Sequence, residues 1–218
     1  SQGCFSTKFK FAVVSPLLKK PGLDADDPSN FRPISNLNNI SKILERLFLV
    51  RLLPHVLASP NFNQLQSAYR QHHSTETALL ATLDNIYRSS DTGKPSVLIS
   101  LDLSAAFDMI EHNLLISRLH ISFGTTGTAL QFIKSYLTDR SQCVRAGQVS
   151  SSPTSCNTSI QGSVLGPLLF STYTSPIGRI ASDFNISLQQ YADETQLFFA
   201  ASAADLQSNL LSHLNFVL

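Results

Sequence analysis

Residues 188–199 read LQQYADETQLFF. Two acids, Asp193 and Glu194, stand side by side between apolar and aromatic neighbours. SLQQYADETQLFFAA (187–201) is predicted to form two short strands around a tight turn, with the acids at the turn. Carboxylates among buried strands are costly unless they are paired or hold a cation, so the pair needs a reason.

Upstream, SVLISLDL (96–103) is predicted to be a short, mostly apolar strand of the buried kind, with Asp102 near its end. Asp108 follows AAF and has capping-box spacing to Glu111, opening a helix through EHNLLISRLH. Asp108 is therefore read as a cap. A strand-end Asp102 facing the hairpin acids would collect oxygen ligands from distant parts of the chain. Magnesium takes hard oxygen ligands and commonly one or two protein carboxylates, with substrate phosphates filling other places. Two such ions roughly 3.5–4 Å apart can stabilise the attacking and leaving oxygens of a phosphoryl transfer. Each acid also has a structural reading. Asp193 tolerates turn geometry, and Asp102 could accept from a nearby backbone N–H.

The remaining chain is helix-rich. KFKFAVVSPLL (8–18) is predicted as a strand, and KKPGLDADDPSNFRP as a long ordered loop. Leu37, Ile40, Ile43, Leu44, Leu47 and Phe48 recur at three- and four-residue steps, giving an amphipathic helix up to about Pro54. Ser74 is an N-cap candidate for a second helix with Glu76 in its first turn. TGTALQFIKSYL is a further helix, residues 140–160 a ribbon, and another helix starts near Ser163. AADLQSNLLSHLNFVL closes the sequence as an amphipathic helix. The predicted class is α+β, with helices on a small sheet.

Composition allows this. Of 218 residues, 43% are hydrophobic and 14% charged, which excludes a disordered chain. The net charge of +1 (16 basic, 15 acidic) neither advertises nor excludes a nucleic-acid partner. No apolar run is long enough to span a bilayer, so no membrane association is expected. SQGCFSTKF carries no secretion signal and no initiator Met, and a fragment of a longer chain is expected. Cys4, Cys143 and Cys156 form no metal or disulfide pattern, as in a reducing compartment.

SLDLSAAFD (100–108), QGSVLGPLLF (161–170) and YADET (191–195), preceded by NFRPISNLNNISKILERL (30–47) and SAYRQHHSTETAL (67–79), resemble successive motifs of a non-LTR (LINE-type) retrotransposon reverse transcriptase. The resemblance covers roughly residues 8–200. It implies a right-hand polymerase palm and fingers without the thumb, 1–95 being fingers and first palm segment and 96–218 the palm with its catalytic motifs. It implies RNA-directed DNA polymerisation, an RNA template, a DNA primer, deoxynucleoside triphosphates, and two Mg²⁺ ions with Mn²⁺ as a substitute. A nuclear or cytoplasmic location goes with that class. Asp102, Asp193 and Glu194 match the metal-binding acids. Phe107 matches the sugar gate, Gln161 and Gly162 the QG along nucleotide and template, and Arg32 a triphosphate contact. Lys20 or Lys19 matches a phosphate-binding lysine.

The sequence departs from that pattern in places. Glu194 stands where the family has Asp, one methylene longer, and misplacement by about 1 Å can cost roughly 100-fold in rate. Ile160 replaces the usual Pro. Ala68-Tyr69-Arg70 stands where GFR is common, so a glycine needed for positive φ is expected to be missing. These departures, and the end of the sequence soon after the hairpin, suggest a decayed or truncated copy with weak activity. A non-catalytic nucleic-acid-binding remnant is the rival reading. A serine hydrolase is discounted, because Ser163 directly follows Gly162 and a nucleophile elbow needs G-x-S-x-G. His72, His73 and His112 have no Cys or His partner at zinc spacing.

Overall fold

The computed structural model describes residues 3–103, 106–107, 109–156 and 162–200. Strands β1 (Phe11–Leu18) and β2 (Phe31–Leu37) precede helices α1 (Asn39–Leu57) and α2 (Thr75–Asp91). Strand β3 (Ser96–Asp102) leads to α3 (His112–Ile121) and α4 (Gly127–Leu137). A ribbon follows: β4 (Arg140–Ala146), β5 (Val149–Ser150) and β6 (Thr154–Cys156). The last elements are α5 (Gly166–Thr174), α6 (Pro176–Asp183) and the hairpin β7 (Ser187–Tyr191) and β8 (Glu194–Ala200). This is the expected α+β class. The predicted C-terminal helix lies outside the described residues.

Two compact units interleave along the sequence. One comprises Ser1–Ser59 and Phe107–Thr172, the other Pro60–Ala106 and Tyr173–Leu218.

In the first unit, β1 pairs antiparallel with β2 and parallel with β4, and β4 pairs with β5 and β6. Part of the predicted 19–33 loop is thus strand, because residues from Phe31 onward pair with β1. The core includes Val56, Leu115, Leu119, Ile133, Tyr136, Leu137, Leu165 and Leu169, all nearly inaccessible. Phe5 meets Phe132 and Tyr136 edge-on, with ring centroids 5.6 and 5.1 Å apart. Helix α1 runs on past Pro54, whose missing N–H gives up one helical bond. Its predicted apolar stripe does not face inward as a whole. Ile40, Ile43 and Leu47 are at least half exposed, while Ser41, Glu45, Leu52 and Val56 are buried. Periodicity predicts the helix; the partners of Glu45 decide which side is inside.

Two local corrections follow. Helix α3 is capped by Glu111, whose carboxylate accepts from the N–H groups of Asn113 (2.9 Å) and Leu114 (2.7 Å). The cap is therefore one turn later than expected, and Asp108 lies outside the described residues. Helix α5 starts at Gly166, whose N–H donates to the Ser163 hydroxyl at 2.9 Å.

In the second unit, β8 lies between β3 and β7 in an antiparallel sheet. One face packs Ile99, Leu101, Leu188 and Leu197 against Ile177, Ala181, Phe184 and Ile186 from α6 and its C-terminal turn. Helix α2 contacts all three strands. It opens on the predicted cap as a reciprocal capping box between Ser74 and Thr77. Strand β3 is not the buried strand expected. Ser96, Leu98, Ser100 and Asp102 are exposed, alternating with half-buried Val97, Ile99 and Leu101. One face of the strand carries all its core contacts.

Candidate active site

The acids meet on the second unit's sheet. Register pairs Asp102 at the end of β3 with Glu194 at the start of β8. Directly opposed residues of an antiparallel pair have Cβ atoms about 4.5–5.5 Å apart, and like charges there repel. Both residues are exposed, and Asp193 is half-buried. Among the described residues, no cation pairs with any of the three carboxylates, and the ion pair present is Arg88–Asp84 on α2. The carboxylates of Asp102, Asp193 and Glu194 accept no hydrogen bond from described residues, unlike the alternative of a backbone-bonded Asp102. Among those residues, no three His, Cys, Asp or Glu side chains converge as a metal-binding group. The structure thus supplies two opposed carboxylates with a third at the adjoining turn. That donor set fits an ion that takes one or two protein carboxylates and fills its shell with water and phosphate oxygens.

The turn itself is unusual. Tyr191 pairs with Glu194, leaving Ala192 and Asp193 to connect the strands. Ala192 has φ 56, a left-handed conformation costing a non-glycine residue roughly 1–2 kcal/mol. The peptide is held from the side. Gln66, fully buried, accepts from the Ala192 N–H at 3.0 Å and donates to the Ala192 carbonyl at 3.1 Å. Main-chain bonds continue the contact: Ser67 N–H donates to the Gln190 carbonyl, and Gln190 N–H to the Leu65 carbonyl, each at 2.9 Å. Residues 65–67 thereby cover the edge of β7 at Gln190. The Gln190 amide accepts from Asn63 and donates to the Thr195 hydroxyl, and the Gln189 amide donates to Leu65 and Ser67. Tyr69, near this turn, has its phenol pKa raised by burial first and then by the Asp193 and Tyr191 charges. Tyr69 also corrects an expectation. The positive φ falls at Tyr69 (φ 62), not at Ala68, so no glycine is missing at Ala68.

The other predicted residues with a described position sit in the first unit. Arg32 pairs with Leu17, and the Lys19 N–H donates to the Asn30 carbonyl at 2.8 Å. Lys19, Lys20 and Arg32, all exposed, therefore gather at one end of the β1–β2 ribbon. In the connecting loop, the Ser29 hydroxyl and N–H hold the Asp27 carboxyl below its usual range, helped by Lys19. Gly162 has φ 72, and a Cβ there would overlap the Ser35 carbonyl oxygen on β2. Only glycine fits that close approach. Phe107 is half-buried with its ring 5.1 Å from Phe170 of α5. Gln161 and Ile160 lie outside the described residues.

Glu45 is fully buried on α1 and was not anticipated. Its carboxylate accepts from Ser41 (2.8 Å), the Tyr136 hydroxyl (3.2 Å), and the N–H groups of Val164 (2.7 Å) and Leu165 (3.2 Å). It ties α1 to the residues between Gly162 and α5. Burial, and next the Glu45 charge, pushes the Tyr136 phenol far above its ordinary pKa.

Residues 18–217 match the profile of the reverse transcriptase (RNA-dependent DNA polymerase) family. The chain belongs to this family. Its reverse transcriptase relatives are those of non-LTR retrotransposons. It is 30% identical over 207 residues to the probable RNA-directed DNA polymerase from transposon BS of Drosophila melanogaster, covering 92% of this chain and 22% of that protein. The corresponding protein from transposon X-element of the same species is 32% identical over 171 residues, with 78% and 18% covered. The polymerase from mobile element jockey is 28% identical over 200 residues, with 88% and 21% covered. The chain thus spans about a fifth of the length of the curated relatives it matches. Apo telomerase from Candida tropicalis, truncated from its C-terminal domain, superposes with a TM-score of 0.60 at 13% identity. That match covers 96% of this chain and 47% of the telomerase chain, and shows a shared reverse transcriptase fold. Reverse transcriptases generally use divalent metal ions. No helix among the described residues is long and apolar enough to cross a membrane.

Proposed function

We propose that this reverse transcriptase domain carries out RNA-templated DNA synthesis by two-metal nucleotidyl transfer, at a rate limited by Glu194. The observation that carries the proposal is the register pairing of Asp102 with Glu194 beside Asp193, with no cation among the described residues paired to them. Repulsion between opposed carboxylates is relieved by a bound cation. Asp102, Asp193 and Glu194 are the proposed holders of Mg²⁺ or Mn²⁺, which when bound supplies charge neutralisation for the phosphoryl group. The primer 3′-hydroxyl oxygen bonds to the α-phosphorus of a deoxynucleoside triphosphate. The bond from that phosphorus to the bridging oxygen of pyrophosphate breaks, and the hydroxyl proton is lost. Positioning and charge, not covalent help from the protein, carry such a step.

Lys20 and Arg32 are the proposed triphosphate contacts, supported by their clustering at one ribbon end. Arg suits bidentate phosphate contact. Phe107 is the proposed sugar gate, excluding a 2′-hydroxyl by its bulk. Gln161 and Gly162 are proposed to lie along nucleotide and template, and the forced glycine geometry at Gly162 supports a backbone that must come close to a neighbour. By motif order, residues 1–95 correspond to fingers and first palm segment and 96–218 to the palm. The partners are an RNA template, a DNA primer and deoxynucleoside triphosphates, with the nucleus or cytoplasm as the place of action.

Primer extension on an RNA template, with the chain fused to a related thumb, tests the proposal. Glu194→Asp is expected to raise the Mg²⁺-dependent rate about 100-fold, and Asp102→Ala to abolish extension. Extension by the native chain as fast as by Glu194→Asp would overturn the Glu194 limitation. Binding of primer–template without extension by any form favours the non-catalytic remnant.

A further inference from the structure

We propose that Gln66 is a positioning residue for the acid turn: its buried amide fixes the Ala192 peptide and so the direction in which Asp193 leaves the hairpin. The inference rests on the acids being the metal site proposed above. Three bonds converge on this amide. Oε1 accepts from the Ala192 N–H (3.0 Å) and the Ala68 N–H (3.1 Å), while Nε2 donates to the Ala192 carbonyl (3.1 Å). The two N–H donors require the oxygen where it stands, and the carbonyl requires the nitrogen, so the amide has one workable orientation.

A primary amide offers a donor and an acceptor on separate atoms side by side, so it can pair the N–H and the carbonyl of one residue at once. The residue so paired has φ 56 without being glycine, a conformation that persists only when its surroundings over-determine it. The approach of Gln66 is itself fixed, because Ser67 N–H and Gln190 N–H lock residues 65–67 along β7. Arg70 adds a second restraint, donating to the Gln64 and Gln66 carbonyls at 2.7 and 3.2 Å. Gln66 is fully buried, so it touches no substrate. It acts through the turn. Partners of metal ligands typically carry about 10–100-fold of metal affinity in this way.

Mn²⁺ binding to the whole chain, measured by electron paramagnetic resonance, is the test, with amide hydrogen exchange at Ala192 recorded in metal-free protein. Gln66→Met keeps length and loses every bond. Gln66→Asn keeps polarity but is one methylene too short to span the peptide, and it carries the test if the Met variant does not fold. Each is expected to weaken Mn²⁺ about 10-fold or more and to speed Ala192 exchange while exchange in α4 stays unchanged. Asp193→Asn should weaken Mn²⁺ without altering Ala192 exchange. Mn²⁺ affinity lost in Asp193→Asn but unchanged in folded Gln66 variants overturns the positioning role alone. Wild-type protein that binds Mn²⁺ no better than Asp193→Asn overturns the acid site and the positioning role together. Unchanged Ala192 exchange in the Gln66 variants overturns the clamp.

Discussion

Glu45 and the Asp102–Glu194 pair place carboxylates in opposite circumstances. Glu45 is fully buried and takes four donors from a serine, a tyrosine and two backbone N–H groups. Asp102 and Glu194 are exposed, face each other across two strands, and take no donor from described residues. A buried charge survives only if its lone pairs are satisfied. Glu45 meets that condition and is explained by the fold. The opposed pair takes no hydrogen bond or cation from the described residues, and under the proposed function a bound metal ion relieves its repulsion. Satisfaction of lone pairs, more than burial, separates the acid that the fold explains from the acids proposed to hold metal.

The largest expected effect breaks the satisfied side. Glu45→Ala leaves two N–H groups and two hydroxyls without their acceptor, and should destabilise by about 3 kcal/mol or more, read as a lower urea midpoint. Next, Mg²⁺ added at about 100 times its dissociation constant should stabilise the wild-type chain by about 2.7 kcal/mol. Thermal melts should show no such gain in Asp102→Asn.

Smaller still is an alkaline effect at Tyr136. Its folded pKa is raised, so its contribution is whole below the unfolded value of about 10 and falls as pH rises above it. Tyr136→Phe should flatten the loss of stability above about pH 10, while forfeiting about 1 kcal/mol at neutral pH with the bond to Glu45. Denaturant titrations at neutral and alkaline pH would show both. The smallest effect has the opposite sign. Without metal, Asp102→Asn should raise stability by up to about 1 kcal/mol, because it removes one of two opposed like charges. A clear loss would mean that a donor holds Asp102 after all.

Much of this was legible in the residues. Ser74 announced its helix, and YADET announced both a hairpin and a chemical oddity. Asp102 stood out because a strand-end acid after an apolar run has few structural excuses, and the register places it opposite Glu194. The exposure of β3 was not legible, because a half-buried strand can still be apolar on its outer face, as Leu98 is. Glu45 was missed because an acid inside an amphipathic helix reads as solvent-facing. Its spacing of four from Ser41 was the available hint, since the two side chains hydrogen-bond. Gln66 was missed because one glutamine in a loop carries no chemistry of its own. The signal lay in the excess of amides in NQLQ (63–66) and QQ (189–190), two segments that must satisfy each other when buried. Pairings between distant segments are invisible to any local periodicity.

Both sheets are closed by segments far apart in the chain. Strand β1 pairs with β4 at Phe11–Ser141, and β3 with β8 at Ser96–Ala200. Neither sheet can assemble on a ribosome until its late strand has emerged, so early strands wait with open edges. Loop-closure cost grows only slowly with length, by about 0.6 kcal/mol per doubling. The burden is kinetic: folding that depends on such non-local pairing is slow and leaves edges exposed to other chains meanwhile. The acid pair is among the late arrivals, because Asp102 is synthesised long before the strand that brings Glu194 to it.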